Sequence, residues 1–103
     1  MLNIANLYSQ HFEMFLRGRK KTEWRERRSI DPRLEKITPG ERVIFYECGS
    51  DRAIAAIVVC VRRFDNPTHA NCNHLYAIRI GRISRFRVKV RKLQGWHRRA
   101  LPY

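Results

Sequence analysis

The feature that most constrains this chain is Ala53–Val61, an unbroken apolar run, Ala-Ile-Ala-Ala-Ile-Val-Val-Cys-Val, in a sequence otherwise crowded with arginine. It falls well short of the roughly eighteen apolar residues a membrane span requires. Its β-branched content makes it a long strand that must be largely buried. The sequence around it reads as all-β. Glu41–Glu47 forms a preceding strand, and Cys48-Gly49-Ser50-Asp51 a hairpin connection. Asp65–Asn73 is a loop. Leu75–Ile80 and Ile83–Val90 are two further strands, or one bent strand with a bulge near Gly81.

The first third is different. Residues 1–16 contain no Lys or Arg but hold Leu2, Ile4, Leu7, Phe12, Met14, Phe15 and Leu16. Ser9 is placed to cap a short helix whose Phe12, Phe15 and Leu16 share a face, and Gly18 stands where such a helix stops. Thr22–Arg27 then alternates, with Glu23 and Arg25 on one face and Trp24 on the other, so a strand leaves the helix end with Trp24 directed to the core. Arg28–Lys36 is polar, with Asp31-Pro32 as a turn or the cap of a helical turn. Thr38-Pro39-Gly40 is a firmer turn. One short helix and about five short strands predict an α+β domain, residues 1–103, whose sheet curls toward a small barrel.

Charge narrows the function. Lys and Arg number 22 against 9 acids, a formal net charge of +13. A 44% hydrophobic fraction supports a modest core, which excludes a disordered basic tail, and the length excludes a multidomain enzyme. Polyanions are the expected partners. Three cysteines, Cys48, Cys60 and Cys72, form no complete pairing framework, and the N-terminal residues do not read as a signal peptide, so the expected location is cytoplasmic.

The densest chemistry lies at the helix-to-strand junction, Gly18-Arg19-Lys20-Lys21-Thr22-Glu23-Trp24-Arg25. Glu23 and Arg25, two apart on a strand, share a face, with Lys20 just before them. A lysine and a carboxylate held together can exchange a proton if their surroundings draw their pKa values together. The plainer reading is a solvated edge strand kept soluble by its charges. Gly18, Lys20, Glu23 and Arg25 reproduce the G-x-K-x-x-E-x-R signature, and the chain here resembles the ASCH domain family, whose small β-barrel is similar to that of PUA RNA-binding domains. A helix precedes the motif as in that family, Pro39–Glu47 is similar to its Pro-Gly strand, and the likeness spans about residues 9–92, leaving 93–103 as a tail. The resemblance implies an ASCH-type, PUA-like barrel with one or two short helices. It also implies a cleft for RNA or a nucleotide, lined by Lys20, Glu23 and Arg25, with Tyr46 on the matching strand. Some members are ribonuclease-type hydrolases. Others are amidohydrolases, which fit less well because Glu23 stands where they carry a neutral residue.

A second feature is the cationic ladder Arg85, Arg87, Lys89 and Arg91. On one strand alternate side chains lie about 6.6 Å apart, close to a nucleotide step. From residue 66 onward the chain has nine Lys or Arg and no acid. The ladder reads as a phosphate track, or as a solvated outer face. Trp96, with His97, Arg98 and Arg99, reads as a hydrophobic latch or as a further nucleic-acid contact. His69, Cys72 and His74 fall close enough together for a weak zinc signal only, and no metal or cofactor is expected unless a divalent ion serves a nuclease.

Three functions follow. The first is an RNA- or single-stranded nucleic-acid-binding module using Arg19, Lys20, Lys21, Arg25, Arg85, Arg87, Lys89 and Arg91. The second is a ribonuclease-type hydrolase on the same cleft, with Lys20, Glu23, Arg25 and Tyr46 as catalytic residues. The third is a regulatory module for an acidic protein partner. No membrane role is expected.

Overall fold

The computed structural model describes residues 3–26, 36–65 and 74–100. Seven elements follow in chain order: β1 (Ile4–Leu7), α1 (Ser9–Leu16), β2 (Thr22–Glu26), β3 (Arg42–Glu47), β4 (Arg52–Asp65), β5 (His74–Arg87) and α2 (Val90–Ala100). The strands make one mixed sheet in the order β1-β3-β4-β5-β2, so the fold is α+β. Backbone pairing does not close this sheet: among the described residues β1 and β2 are its two edges. The turn or helical cap expected at Asp31-Pro32 and most of the 65–73 loop lie outside the described residues.

The apolar run organises the sheet as its burial demands. β4 sits in the middle, antiparallel to β3 on one side and β5 on the other. Gly49, at φ +74, makes the tight connection between β3 and β4, a conformation that costs other residues about 1–2 kcal/mol. β1, which the apolar N-terminal segment had not revealed as a strand, pairs in parallel with β3, Ile4 opposite Ile44 and Leu7 opposite Glu47. His74–Arg87 is one strand, and its irregularity lies where Gly81 stands. Between the pairs Ala56–Ile83 and Val58–Ile80 the register slips, and it slips back before Cys60–Arg79. A Cβ at Gly81 would come within 3.2 Å of the Val59 side chain, so the bend also relies on the missing methyl.

Two apolar clusters cover opposite sides of the sheet. On one, Phe12 and Phe15 of α1 pack with Ile37, Val43, Phe45, Ile54, Val58, Ile78 and Ile80. Phe15 and Phe45 stack with centroids 5.3 Å apart. On the other, Ile4, Tyr46, Ala53 and Leu93 form a smaller cluster flanked by Phe86, Val88 and Trp96. Burial of each large side chain contributes about 1.5–3 kcal/mol, so these clusters carry the fold.

Four expectations need correction. Ser9 does not cap α1: the N-cap is Tyr8, and no side chain caps it. Trp24 is not core but 56% exposed, and Glu23 is the buried neighbour. Cys60 is only half-buried. The strand expected to reach Val90 ends at Arg87, because its partner β4 begins at Arg52, the residue opposite Arg87. Val88 N–H makes one last bond to Asp51 C=O, at 2.8 Å, and beyond it there is no strand left to pair with. The chain turns into α2 instead, which buries Leu93 completely. The tail after Val90 is thus a helix.

Phe45→Ala removes a fully buried ring at the centre of the larger cluster and should destabilise the domain by about 3–5 kcal/mol in urea unfolding.

Candidate functional site

The site grows from the end of α1. Gly18, at φ +69, reverses the chain; its N–H bonds to Phe15 C=O, and those of Arg19 and Lys20 both reach Met14 C=O. The reversal lays Lys20 back along the helix, its ammonium 5.3 Å from the centroid of the Phe15 ring. The chain then enters β2, which pairs with β5 from Thr22–Arg79 to Glu26–Leu75. Strand alternation directs Glu23 inward, where 7% of it remains exposed.

Glu23 is the hub of a hydrogen-bonded cluster. Lys20 Nζ donates to its Oε1 at 2.9 Å, and Arg25 Nε donates to its Oε2 at 3.1 Å. Lys20 Nζ also lies 3.2 Å from His11 Nδ1. An ammonium can only donate, so Nδ1 accepts and the imidazole carries its proton on Nε2. Arg25 Nη2 reaches across to Asn6 C=O at 2.7 Å. Asn6 lies in β1 and Arg25 in β2, so one guanidinium spans the gap between the two edges of the sheet. The cluster therefore occupies the open seam, with two cations, one carboxylate and a neutral imidazole, a formal charge of +1.

The structure brings together three of the four expected catalytic residues. Tyr46 is elsewhere: it packs with Ile4, Ala53 and Leu93 in the smaller cluster, while its chain neighbour Phe45 enters the larger one. Its hydroxyl lies 2.9 Å from His97 Nδ1 of α2, and burial pushes the phenol pKa up. That contact ties α2 to β3. His11 is the residue sequence reading missed. Its signal was the i, i+4 spacing to Phe15, which sets both on the side of α1 that Lys20 crosses.

Of the expected binding cations, Arg19 and Lys21 are exposed at the turn beside the cluster. Arg85 and Arg87 are the only part of the ladder that lies on β5. Arg85 donates to Leu16 C=O at 2.8 Å, and Arg87 to Asp51 at 3.0 Å. Lys89 falls between β5 and α2, and Arg91 lies on the helix, so no four-step track at strand spacing exists. Arg85 and Arg87 instead line an open groove of about 340 Å³ with Arg52, Phe12, Leu16, Ala53 and Phe86.

Arg52 anchors that end of the molecule. It forks onto both oxygens of Glu47, at 3.0 and 2.9 Å, and reaches Glu13 on α1 at 2.5 Å. Its guanidinium lies over the Phe12 ring, 5.2 Å from the centroid. Among the described residues no group of three His, Cys, Asp or Glu is arranged to hold a metal ion. His69 and Cys72 lie outside them. No helix among them is long and apolar enough to cross a membrane. No family model, curated protein or solved structure matches this chain.

Two predictions follow from these clusters. The Arg52 hydrogen bonds hold the Glu47 carboxyl down at about 2, from an ordinary 4.5. A carboxyl lowered by folding stabilises the native state fully above its unfolded value and loses that contribution as pH falls toward the folded one. Glu47→Gln should therefore be less stable than wild type at pH 7, and the difference should shrink between about pH 4.5 and 2, read by urea unfolding across that window. Glu23→Gln withdraws the charge shared by Lys20 and Arg25 and should cost about 2 kcal/mol at neutral pH by the same measurement.

Proposed function

We propose that this protein is an ASCH-like domain that binds RNA or a nucleotide in the seam between β1 and β2. The observation that carries the reading is the convergence of the signature residues: Lys20, Glu23 and Arg25 form one partly buried, hydrogen-bonded cluster at an opening of the sheet. A solvated edge strand would scatter those charges into water. Arg25 spends one Nη on Asn6 C=O and its Nε on Glu23, which fixes its plane and leaves further donors for a phosphate or a base edge. Glu23, accepting from both cations, holds their direction. Arg19 and Lys21 add exposed charge beside the seam.

In this reading the open sheet is a PUA-like barrel left unzipped at the ligand site, with Arg25 bridging the gap. Phosphate contacts supply most of the affinity and the chain's +13 charge speeds encounter.

A second reading, a ribonuclease-type hydrolase on the same seam, is favoured by the Lys20–His11 contact. A lysine ammonium that meets an imidazole nitrogen and a carboxylate at hydrogen-bond distance has two acceptors beside it to which a proton could pass, which is the arrangement proton transfer needs. Arg25 would then steady charge developing on phosphorus. Tyr46 has no part in either reading, because its hydroxyl is engaged with His97.

The test is end-labelled single-stranded RNA incubated with the protein, with and without Mg²⁺, and run on native and denaturing gels. Retarded, intact RNA that is released steeply by salt, with affinity lowered in Arg25→Gln, is the expected result. Shortened RNA that disappears with Lys20→Ala would move the hydrolase reading ahead. RNA neither retarded nor cut at low salt would refute both.

A further inference from the structure

Helix α2 carries a surface that the fold itself does not explain. Its inner side is settled: Leu93 is fully buried, and Trp96 packs against the same small cluster. At about 100° per residue, Arg91, Lys92, Gly95 and Arg98 fall on the other side, within an arc of about 120° that has Gly95 near its middle. The three cations are exposed. Among the described residues none of them pairs with a carboxylate, and from residue 66 onward the chain has no acid to offer. Lys92 lies 5.7 Å from the centroid of the Trp96 ring, a contact that leaves its charge uncompensated. The helix dipole does not call for this charge either. Arg91 and Lys92 stand in the first turn, at its positive end, with no acid beside them. Gly95 is equally unexplained from within, since glycine weakens a helix interior relative to alanine. Its φ is not positive, and a Cβ there would meet nothing nearer than Arg98 Nη2, at 4.0 Å.

We propose that the outer face of α2 is a docking surface for the phosphodiester backbone of a nucleic acid, which lies against the bare helix at Gly95. It rests on the nucleic-acid reading given above and adds a second contact surface to the seam. Arg91 and Arg98 are about 10.5 Å apart along the helix axis, so cations flank the glycine before and after it. A phosphodiester carries its charge in the chain itself, so a guanidinium forks onto it only when the whole strand comes close. A side chain at residue 95 would hold that strand away. The carboxylates of an acidic protein project from their own main chain and reach the same cations without needing a bare helix. An anionic membrane fits less well, because helices that lie on membranes bury an apolar face in the lipid. The apolar side of α2 is already taken by the sheet. A second copy of this chain is repelled by its like charge of +13.

The experiment titrates the full chain into labelled single-stranded oligouridine by fluorescence anisotropy over a range of salt concentrations. Arg91→Gln, Lys92→Gln and Arg98→Gln combined should lower affinity about tenfold or more and reduce the salt slope by about 2, at about 0.7 per phosphate contact. Gly95→Leu leaves every charge in place. It should preserve or raise stability in urea unfolding, because leucine is the better helix former, and yet weaken oligouridine binding severalfold. An affinity unchanged by Gly95→Leu, or by the triple substitution, would overturn the docking surface; a loss in Arg25→Gln alone would then leave the seam reading standing. Loss in both α2 variants with none in Arg25→Gln would uphold the helix and overturn the seam. Binding to polyglutamate or to phosphatidylserine vesicles that exceeds binding to oligouridine, and that the triple substitution abolishes, would also overturn the proposal. Failure of wild type to bind any single-stranded RNA at low salt would remove both readings together.

Discussion

The arrangement on which the rest depends is a buried carboxylate shared by two cations at the place where the sheet fails to close. Glu23 loses most of its hydration, and an ionised carboxylate survives that only when its oxygens are occupied by charged donors. Lys20 and Arg25 take one oxygen each. The same contact fixes Arg25 so that its far end reaches Asn6 on the opposite edge. Two strand edges with unpaired backbone groups would otherwise invite pairing with other chains. A guanidinium across the gap satisfies one carbonyl and keeps the seam narrow without sealing it. The guanidinium that satisfies the buried carboxylate is thus the same one that ties the two edges together.

The distribution of charge separates the molecule into two regimes. Glu13, Glu23, Glu47 and Asp51 are each engaged by arginine or lysine, and Arg52 alone links two of them to tie α1 to the β3–β4 hairpin. The pairs of Glu23 with Lys20 and Arg25 and of Glu47 with Arg52 are partly buried, so salt screens them weakly, whereas Asp51–Arg87 is exposed and is screened. The excess charge resides elsewhere, on exposed cations such as Arg19, Lys21, Arg62, Arg79 and those of α2. Their mutual repulsion opposes compaction. A bound polyanion would relieve that repulsion, so ligand binding and fold stability should be linked through these groups.

Sequence legibility follows from how local the deciding physics is. Strand β4, the Gly18 reversal, the Gly40 and Gly49 turns and the irregularity at Gly81 were all readable, because burial and backbone freedom act within a few residues. The phase of β2 was readable as alternation but not as direction. Hydropathy sends Trp24 inward, whereas the position of Glu23 beneath α1, where Lys20 and Arg25 converge on it, reverses the strand. The end of β5 depended on where β4 begins, thirty-five residues earlier in the chain. Nothing local to Val88 or Lys89 marks it, and the apolar–cationic alternation there serves a strand and the entry to a helix equally well. His11 joined the site only through the chain reversal, and Tyr46 left it because β3 has a core on each face.

One alternation therefore governs both surfaces of β2. Glu23 and Arg25 face the seam and Trp24 faces out because successive residues of a strand must point to opposite sides. A single-residue slip against β5 would put the indole in the seam and the carboxylate in water, destroying both at once. The register is held by the buried pair Ala77 and Ile78 opposite Trp24 and Glu23, and by Lys21 C=O accepting from Ile80 N–H at 2.9 Å.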